Sequence, residues 1–310
     1  MMSEKVTTTN RVRVVTAASL FDGHDAAINV MRRLIQSMGC EVIHLGHNRS
    51  VADVVQAAIE EDAQAVAISS YQGGHMEYFR YMVQLLREQG AGHVKVYGGG
   101  GGVIVPEEIR QLHADGVTRI YHPEDGRRLG LVGMIADLVR GADYDVTDHG
   151  QQDAEALLAG VKAGDKGALA RLITLAEREV ESPGALAPSL RAALAGATGA
   201  AVIGITGTGG AGKSSFTDEL VRRARRDHPD RPVAVLSIDP TRKRTGGALL
   251  GDRIRMNAIS GAAVLCGLWP HATPAVSSPG PRRTPSPPAA SRALSSSLSR
   301  PQASAKATRR

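Results

Sequence analysis

Several loops of this chain carry residues whose types and spacing can do chemistry. GTGGAGKS, residues 207–214, matches G-x-x-x-x-G-K-[ST]. Such a loop turns backbone N–H groups toward phosphates, and a helix starting behind it adds its own amides. Lys213 is placed to contact terminal phosphates and Ser214 to hold Mg²⁺, with Gly207, Gly212 and Ser215 completing the expected nucleotide cradle. Elsewhere DGHDAA (22–27) sets His24 between two aspartates, SSYQGGH (69–75) is a polar, glycine-containing loop, and YGGGGGVI (97–104) has five glycines in a row. A run of five permits close backbone approach to a bulky ligand and leaves a groove with no side chains to fill it.

The elements around these loops follow from periodicity. RVRVVTAAS (11–19) is β-branched and predicts a strand; from about Asp25 the spacing turns helical, with Ile28, Met31, Leu34, Ile35 and Met38 on one face and Gly39 ending the helix. CEVIHLG predicts strand, 51–62 helix, AQAVAISS strand, and then a helix follows with Met76, Phe79, Val83 and Leu86 inward. HVKVYGGGGG predicts strand and loop; a helix from Pro106, a strand TRIYH and a helix over 126–140 complete five βα units. Near-continuous apolar strands with short connections imply a five-stranded parallel sheet covered on both faces, α/β and flavodoxin-like, with its ligand at the carboxyl ends of the strands. The loops holding His24, Ser69 and Gly98–Gly102 all fall at that rim.

Two occupants of such a rim fail on residue type. A phosphorelay receiver needs an aspartate after the third strand, where Ser69 and Ser70 stand. A nicotinamide site needs G-x-G-x-x-G straight after the first strand, and none is there. Taken alone, His24 reads as a solvated loop histidine; His44, His47, His75 and His122 read as surface or rim histidines with no assigned role.

Together the three loops resemble the cobalamin-binding domain family. DGHDAA is similar to its D-x-H-x-x-G motif, with Ala27 in the last glycine position; SSY is similar to S-x-L, with Tyr71 in the leucine position; GGGGG matches its glycine loop. The resemblance implies that His24 is the lower axial ligand of cobalt, that Asp22 orients its imidazole, that Ser69 extends that network, and that Gly98, Gly99 and Gly100 flank the nucleotide tail of the cofactor. The form implied is adenosylcobalamin.

Residues 151–198, rich in Ala and Leu, predict two or three helices with breaks at Pro183 and Pro188. AVIGITG predicts the strand before the phosphate loop, and PVAVLSIDPTRKRTGGALLGDRIRM (232–256) a second strand ending on Asp239. This half resembles the G-protein chaperones of cobalamin-dependent acyl-CoA mutases, which implies GTP and Mg²⁺, Asp239 near the metal and Thr245 in a switch-like loop. The order of the two halves resembles fused isobutyryl-CoA mutases, whose substrate-binding TIM barrel has no counterpart here. Nor does an N-K-x-D motif follow Met256. The expected division is 1–145 cobalamin domain, 146–198 helical linker, 199–260 incomplete P-loop domain folding poorly alone, and 261–310 disordered tail. An adjacent frame behind LCGLWPHAT can read M-R-S-L-A-T-R, close to how the resembled G domains continue. That predicts a frame change near residue 260.

The formal charge of +6 hints at nucleic acid, but residues 261–310 hold seven Lys and Arg and no acid, so the excess belongs to that tract. No nucleic-acid or membrane partner is expected. Cys40 and Cys266 give neither a disulfide framework nor a zinc spacing. With no signal-peptide pattern, a cytoplasmic protein is expected, compatible with a homo-oligomer. The implied partner is a mutase barrel, as domain or subunit, through which alone acyl-CoA would be reached. Isomerase activity would need that barrel, and GTP hydrolysis by the incomplete domain is not expected. The competing classes are a stand-alone corrinoid carrier for methyl transfer and a nucleotide-dependent mutase chaperone.

Overall fold

The computed structural model describes residues 6–149, 153–197, 200–238, 249–250 and 264–269. Its centre is β1 (Arg13–Ser19), buried along its whole length. β2 (Glu41–Arg49) and β3 (Ala65–Ser69) pair with β1 on either side. β4 (Lys95–Gly99) and β5 (Arg119–Tyr121) continue beyond β3, and every pairing is parallel. The order β5-β4-β3-β1-β2 is the expected flavodoxin-like one, reversing direction of travel at β1 and β3.

The helices are α1 (Asp25–Ser37), α2 (Val51–Glu60), α3 (His75–Glu88), α4 (Pro106–Asp115) and α5 (Pro123–Ala142). Alternation along β1 divides them between two cores. Val14 packs with Ile35 of α1 and with Ile135, Leu138 and Val139 of α5. Val15 packs with Val54 of α2, with Phe79 and Met82 of α3 and with Leu112 of α4. A strand buried on both faces favours apolar residues without alternation, and the polar residues of β1, Arg13, Thr16 and Ser19, are each hydrogen bonded. Ser50 fixes the start of α2 through a capping box, its hydroxyl accepting the Asp53 N–H at 3.1 Å.

Some expectations need correction. The last helix of this unit starts at Pro123 rather than 126 and is interrupted at Gly130, whose φ of 65° is open to glycine at little cost. His44 and His75 are buried, not surface residues. His44 Nδ1 lies 2.9 Å from Thr16 Oγ1, and His75 Nε2 lies 2.9 Å from Glu108 Oε2. Both serve packing.

Three helices follow: α6 (Ala154–Ala163), α7 (Lys166–Glu181) and α8 (Pro188–Gly196). Leu157, Leu172, Leu186 and Leu190 give them a small core of their own. They do not hang from the sheet as a linker. α7 lies against the amino ends of the strands, where Arg13 donates to Glu41 at 3.0 Å, to Thr174 at 2.8 Å and to Glu177. Arg171 grips Asp62 with two nitrogens, each at 2.9 Å, and Lys166 reaches Glu60 at 2.6 Å.

The remainder comprises α9 (Lys213–Asp227), β6 (Val233–Ile238), β7 (Leu249–Leu250) and β8 (Val264–Trp269). The strand expected over 201–206 is not formed. β6 takes β8 as its parallel partner, so residues 201–206 have no sheet neighbour among the described residues, and Ile203 is exposed. β7 adds to the sheet beside β2. The tract expected to be a disordered tail thus contains a strand at 264–269, while 270–310 lie outside the described residues. No helix among the described residues is long and apolar enough to cross a membrane.

Candidate functional site

Asp22 organises the carboxyl-end rim. It is 2% exposed, and its two oxygens collect three donors. Oδ1 accepts the His24 backbone N–H at 2.8 Å and meets His24 Nδ1 at 2.9 Å; Oδ2 accepts the Tyr71 N–H at 2.6 Å. Burial raises the carboxyl pKa, but the Tyr71 and His24 amides and the imidazole outweigh it and hold the group below its usual value. An ionised carboxylate can only accept, so the hydrogen-bond network places a proton on Nδ1 and leaves Nε2 as the nitrogen not engaged by Asp22.

The imidazole itself is 73% exposed. His24 occupies the N-cap of α1, yet its side chain caps nothing. An imidazole with Nδ1 committed to a buried carboxylate and its ring largely exposed is an arrangement that can serve as a metal ligand with an orienting partner. Among the described residues no cluster of three or more His, Cys, Asp or Glu side chains could hold a metal by itself.

Neighbouring loops fix this one in place. Phe21 sits in the left-handed region at φ 62° and donates its N–H to Asn48 Oδ1 at 2.8 Å. Ser19 Oγ donates to Ser70 Oγ at 2.9 Å in the buried layer beneath. Ser69 Oγ, also buried, has no hydrogen-bond partner among the described residues. A buried hydroxyl left unpaired costs about 1–3 kcal/mol, so an orphan of this kind calls for an explanation.

Ser69 opens into a cavity of about 310 Å³ between α1 and α5, lined also by Ala27, Met31, Gly99, Tyr121 and Leu138. The glycine loop serves it unevenly. A Cβ on Gly98 would strike the Phe79 ring at 2.3 Å, and one on Gly100 would strike the Ser70 carbonyl oxygen at 1.9 Å. A Cβ on Gly99 would meet only the Tyr121 carbonyl oxygen at 3.5 Å, an ordinary contact. All three contribute backbone to the cavity wall, but only at Gly99 is the missing side chain space that a ligand can use. The alternation of β4 was the available signal for that distinction. Sequence reasoning missed the apolar lining from α1 and α5 and the packing of Tyr71 against His24, whose ring centroids lie 5.4 Å apart.

An elongated, mostly apolar ligand part with a hydrogen-bonding group fits this cavity, and His24 stands next to Tyr71 of its lining. Those are the requirements of a corrinoid whose nucleotide tail is tucked away from its metal. The residues present fit the group.

The phosphate-loop residues are less assembled. Gly212 is the left-handed N-cap of α9, and Lys213, Ser214 and Ser215 form its first turn. Lys213 Nζ donates to the Thr208 carbonyl at 2.8 Å, folding back over its own loop. Gly207 and Gly212 are exposed. Asp239 and Thr245 lie outside the described residues.

Comparison with known proteins finds two families along the chain. The B12 binding domain family matches residues 12–125, and the methylmalonyl-CoA mutase-associated GTPase MeaB family matches 169–270, running past residue 260. A fused isobutyryl-CoA mutase from Cupriavidus metallidurans is 63% identical over 81% of this chain and 22% of its own length. Its counterpart from Geobacillus kaustophilus is 56% identical over 82% of this chain and 24% of its own. The chain thus spans about a quarter of the length of these fused relatives. A 2-hydroxyisobutanoyl-CoA mutase small subunit from Aquincola tertiaricarbonis is 35% identical over 42% of this chain and 96% of its own length.

Proposed function

The chain belongs to the family of the fused isobutyryl-CoA mutases and the acyl-CoA mutase small subunits, and from that premise we propose that its first 145 residues bind adenosylcobalamin with His24 as the lower cobalt ligand. The observation that carries this reading is the Asp22–His24 pair: a buried carboxylate holding Nδ1 at 2.9 Å, with the exposed imidazole packed against Tyr71, which lines an apolar cavity. Asp22 orients the ring and leaves Nε2 as the nitrogen that faces away from it. Ala27 and Gly99 leave room for the nucleotide tail, and Ser69 Oγ gives that tail a hydrogen-bond partner. Gly98 and Gly100 bring the loop backbone close to it without obstruction.

When bound, the cofactor supplies a carbon radical by homolysis of its cobalt–carbon bond. Of this chain's own residues, His24 would hold the metal, and Ala27, Ser69 and Gly99 would line the space for the tail. The substrate enters through a barrel partner, as a domain or a separate subunit, and acyl-CoA is contacted there. The MeaB-like half would take GTP with Mg²⁺ through Gly207, Gly212, Lys213, Ser214 and Ser215, with Asp239 near the metal. The open first turn of α9 supports that assignment.

The test is an absorbance titration of the full chain with adenosylcobalamin beside His24→Ala. The expected result is a spectrum with the cofactor's own base displaced in the wild type and a changed or absent one in the variant. Equal spectra for both proteins would overturn the assignment of His24.

A further inference from the structure

The loops after β3 and β4 both reach the cavity, through Tyr71 from the first and Gly100 and Gly101 from the second. Backbone joins them where they leave the strands, Ser70 donating its N–H to the Gly99 carbonyl at 2.8 Å. A side-chain contact joins them where they enter the helices. His75, the first residue of α3, has its Nε2 2.9 Å from Oε2 of Glu108 in the first turn of α4. The same Glu108 oxygen accepts the N–H of Val105, at the end of the second loop, at 3.0 Å. On its other side His75 Nδ1 lies 3.2 Å from the Gln72 carbonyl oxygen, and Gln72 Oε1 accepts the Gly74 N–H at 2.8 Å. The two loops are thus tied at both ends. Between the ties the Tyr71 ring lies over Gly101, where a Cβ would come within 2.9 Å of Tyr71 Cε1.

Both partners of the His75 ring can only accept. A carbonyl oxygen carries no proton, and the Val105 amide and His75 together hold the Glu108 carboxyl below its usual pKa, so it is ionised. A neutral imidazole would donate to one of the two and turn a lone pair toward the other. His75 is only 4% exposed, so water does not replace the missing bond. Among the described residues Glu108 is the charged side chain in contact with the ring.

We propose that His75 is an imidazolium and a positioning residue for the cofactor cavity: with both nitrogens donating, it ties the two loops together and fixes the wall that Tyr71 and Gly101 form. It does not line the cavity itself and acts through those loops. This rests on the reading of the cavity as the cobalamin site. The tie needs both protons and an ionised Glu108. It is complete on the acid side of neutrality and loses a bond as rising pH removes a proton from the ring, and cofactor affinity falls with it.

Two measurements on the full chain test this. With ¹⁵N-labelled histidine, nuclear magnetic resonance of the ring nitrogens near neutral pH should show an imidazole protonated at both, and that signal should be absent from His75→Gln. A His75 ring with one bare nitrogen would overturn the proposal. Adenosylcobalamin is then titrated between about pH 6 and about pH 9. Wild type should bind roughly tenfold more weakly at the alkaline end, the scale of one hydrogen bond to a charged group. His75→Gln should lack that alkaline decline. Glu108→Gln keeps an oxygen for Val105 and for the ring but removes the charge, so it tests the tie even where His75→Gln folds badly; its decline should begin at lower pH than in wild type. A decline in His75→Gln equal to that of wild type would overturn the role of His75, as would a Glu108→Gln profile identical to wild type. No binding by wild type at any pH, with the imidazolium present, would instead sink the cobalamin reading on which the role depends.

Discussion

The two ends of one sheet differ in how their polar groups are treated. At the amino ends of β1 and β2, Arg13 and Glu41 are buried, and each has an opposite charge in contact, with Glu177 of α7 completing the group. At the carboxyl ends, His24 is largely exposed and Ser69 Oγ is buried with no partner among the described residues. Charges taken out of water are tolerated where every one is paired. A lone hydroxyl beside an apolar cavity is tolerated where a ligand is to supply the bond. The amino end is closed by the chain's own residues, and the carboxyl end is where the function proposed above puts the cofactor.

That contrast can be broken first at the amino end. Glu177→Ala would leave Arg13 and Arg11 without their shared carboxylate in a buried site, and should cost about 3–5 kcal/mol in a urea melt. A loss under about 1 kcal/mol would mean that water reaches the group and that α7 is only loosely seated.

The glycine loop sharpens the contrast within a single strand. Gly98→Ala should destabilise the apo chain by about 1–3 kcal/mol through its clash with Phe79 and Ile120. Gly99→Ala should leave stability within about 0.5 kcal/mol but weaken cobalamin binding, since its methyl group enters the cavity. Thermal melts and titrations on the same two variants check both halves, and equal behaviour would remove the distinction.

Ser69→Ala gives the smallest change in the apo chain. Removing an unpaired buried hydroxyl should leave stability unchanged or slightly higher, while binding weakens by about 1 kcal/mol, or roughly fivefold. A clear loss of apo stability would show that Ser69 already has a partner.

Much of the cobalamin half is legible in the amino-acid sequence. The helical spacing after Asp25, the unbroken apolar strands and the three loops at their ends lead to the fold, the strand order and the loop containing His24. Other features are invisible there for identifiable reasons. The burial of Glu60, Asp62, Arg171 and Glu177 is not legible in the sequence, because pairing such as Arg13 with Glu177 spans 164 residues and leaves no local mark. The interruption of α5 falls at Gly130, one of several glycines in that helix, and nothing in the sequence separates it from the others. The strand expected over 201–206 has the right composition, but a parallel strand forms only beside a neighbour, and β6 pairs with β8 instead.

The central claim is that a nitrogen of this chain, not of the cofactor, sits beneath cobalt. The most direct measurement is the electron paramagnetic resonance spectrum of cob(II)alamin bound to the full chain, grown with ordinary and with ¹⁵N-labelled histidine. If His24 is the ligand, the superhyperfine triplet becomes a doublet on labelling, and that doublet is not seen in labelled His24→Ala. A triplet that survives the label would mean that the cofactor's own base still holds the metal, and the account of this site would be wrong.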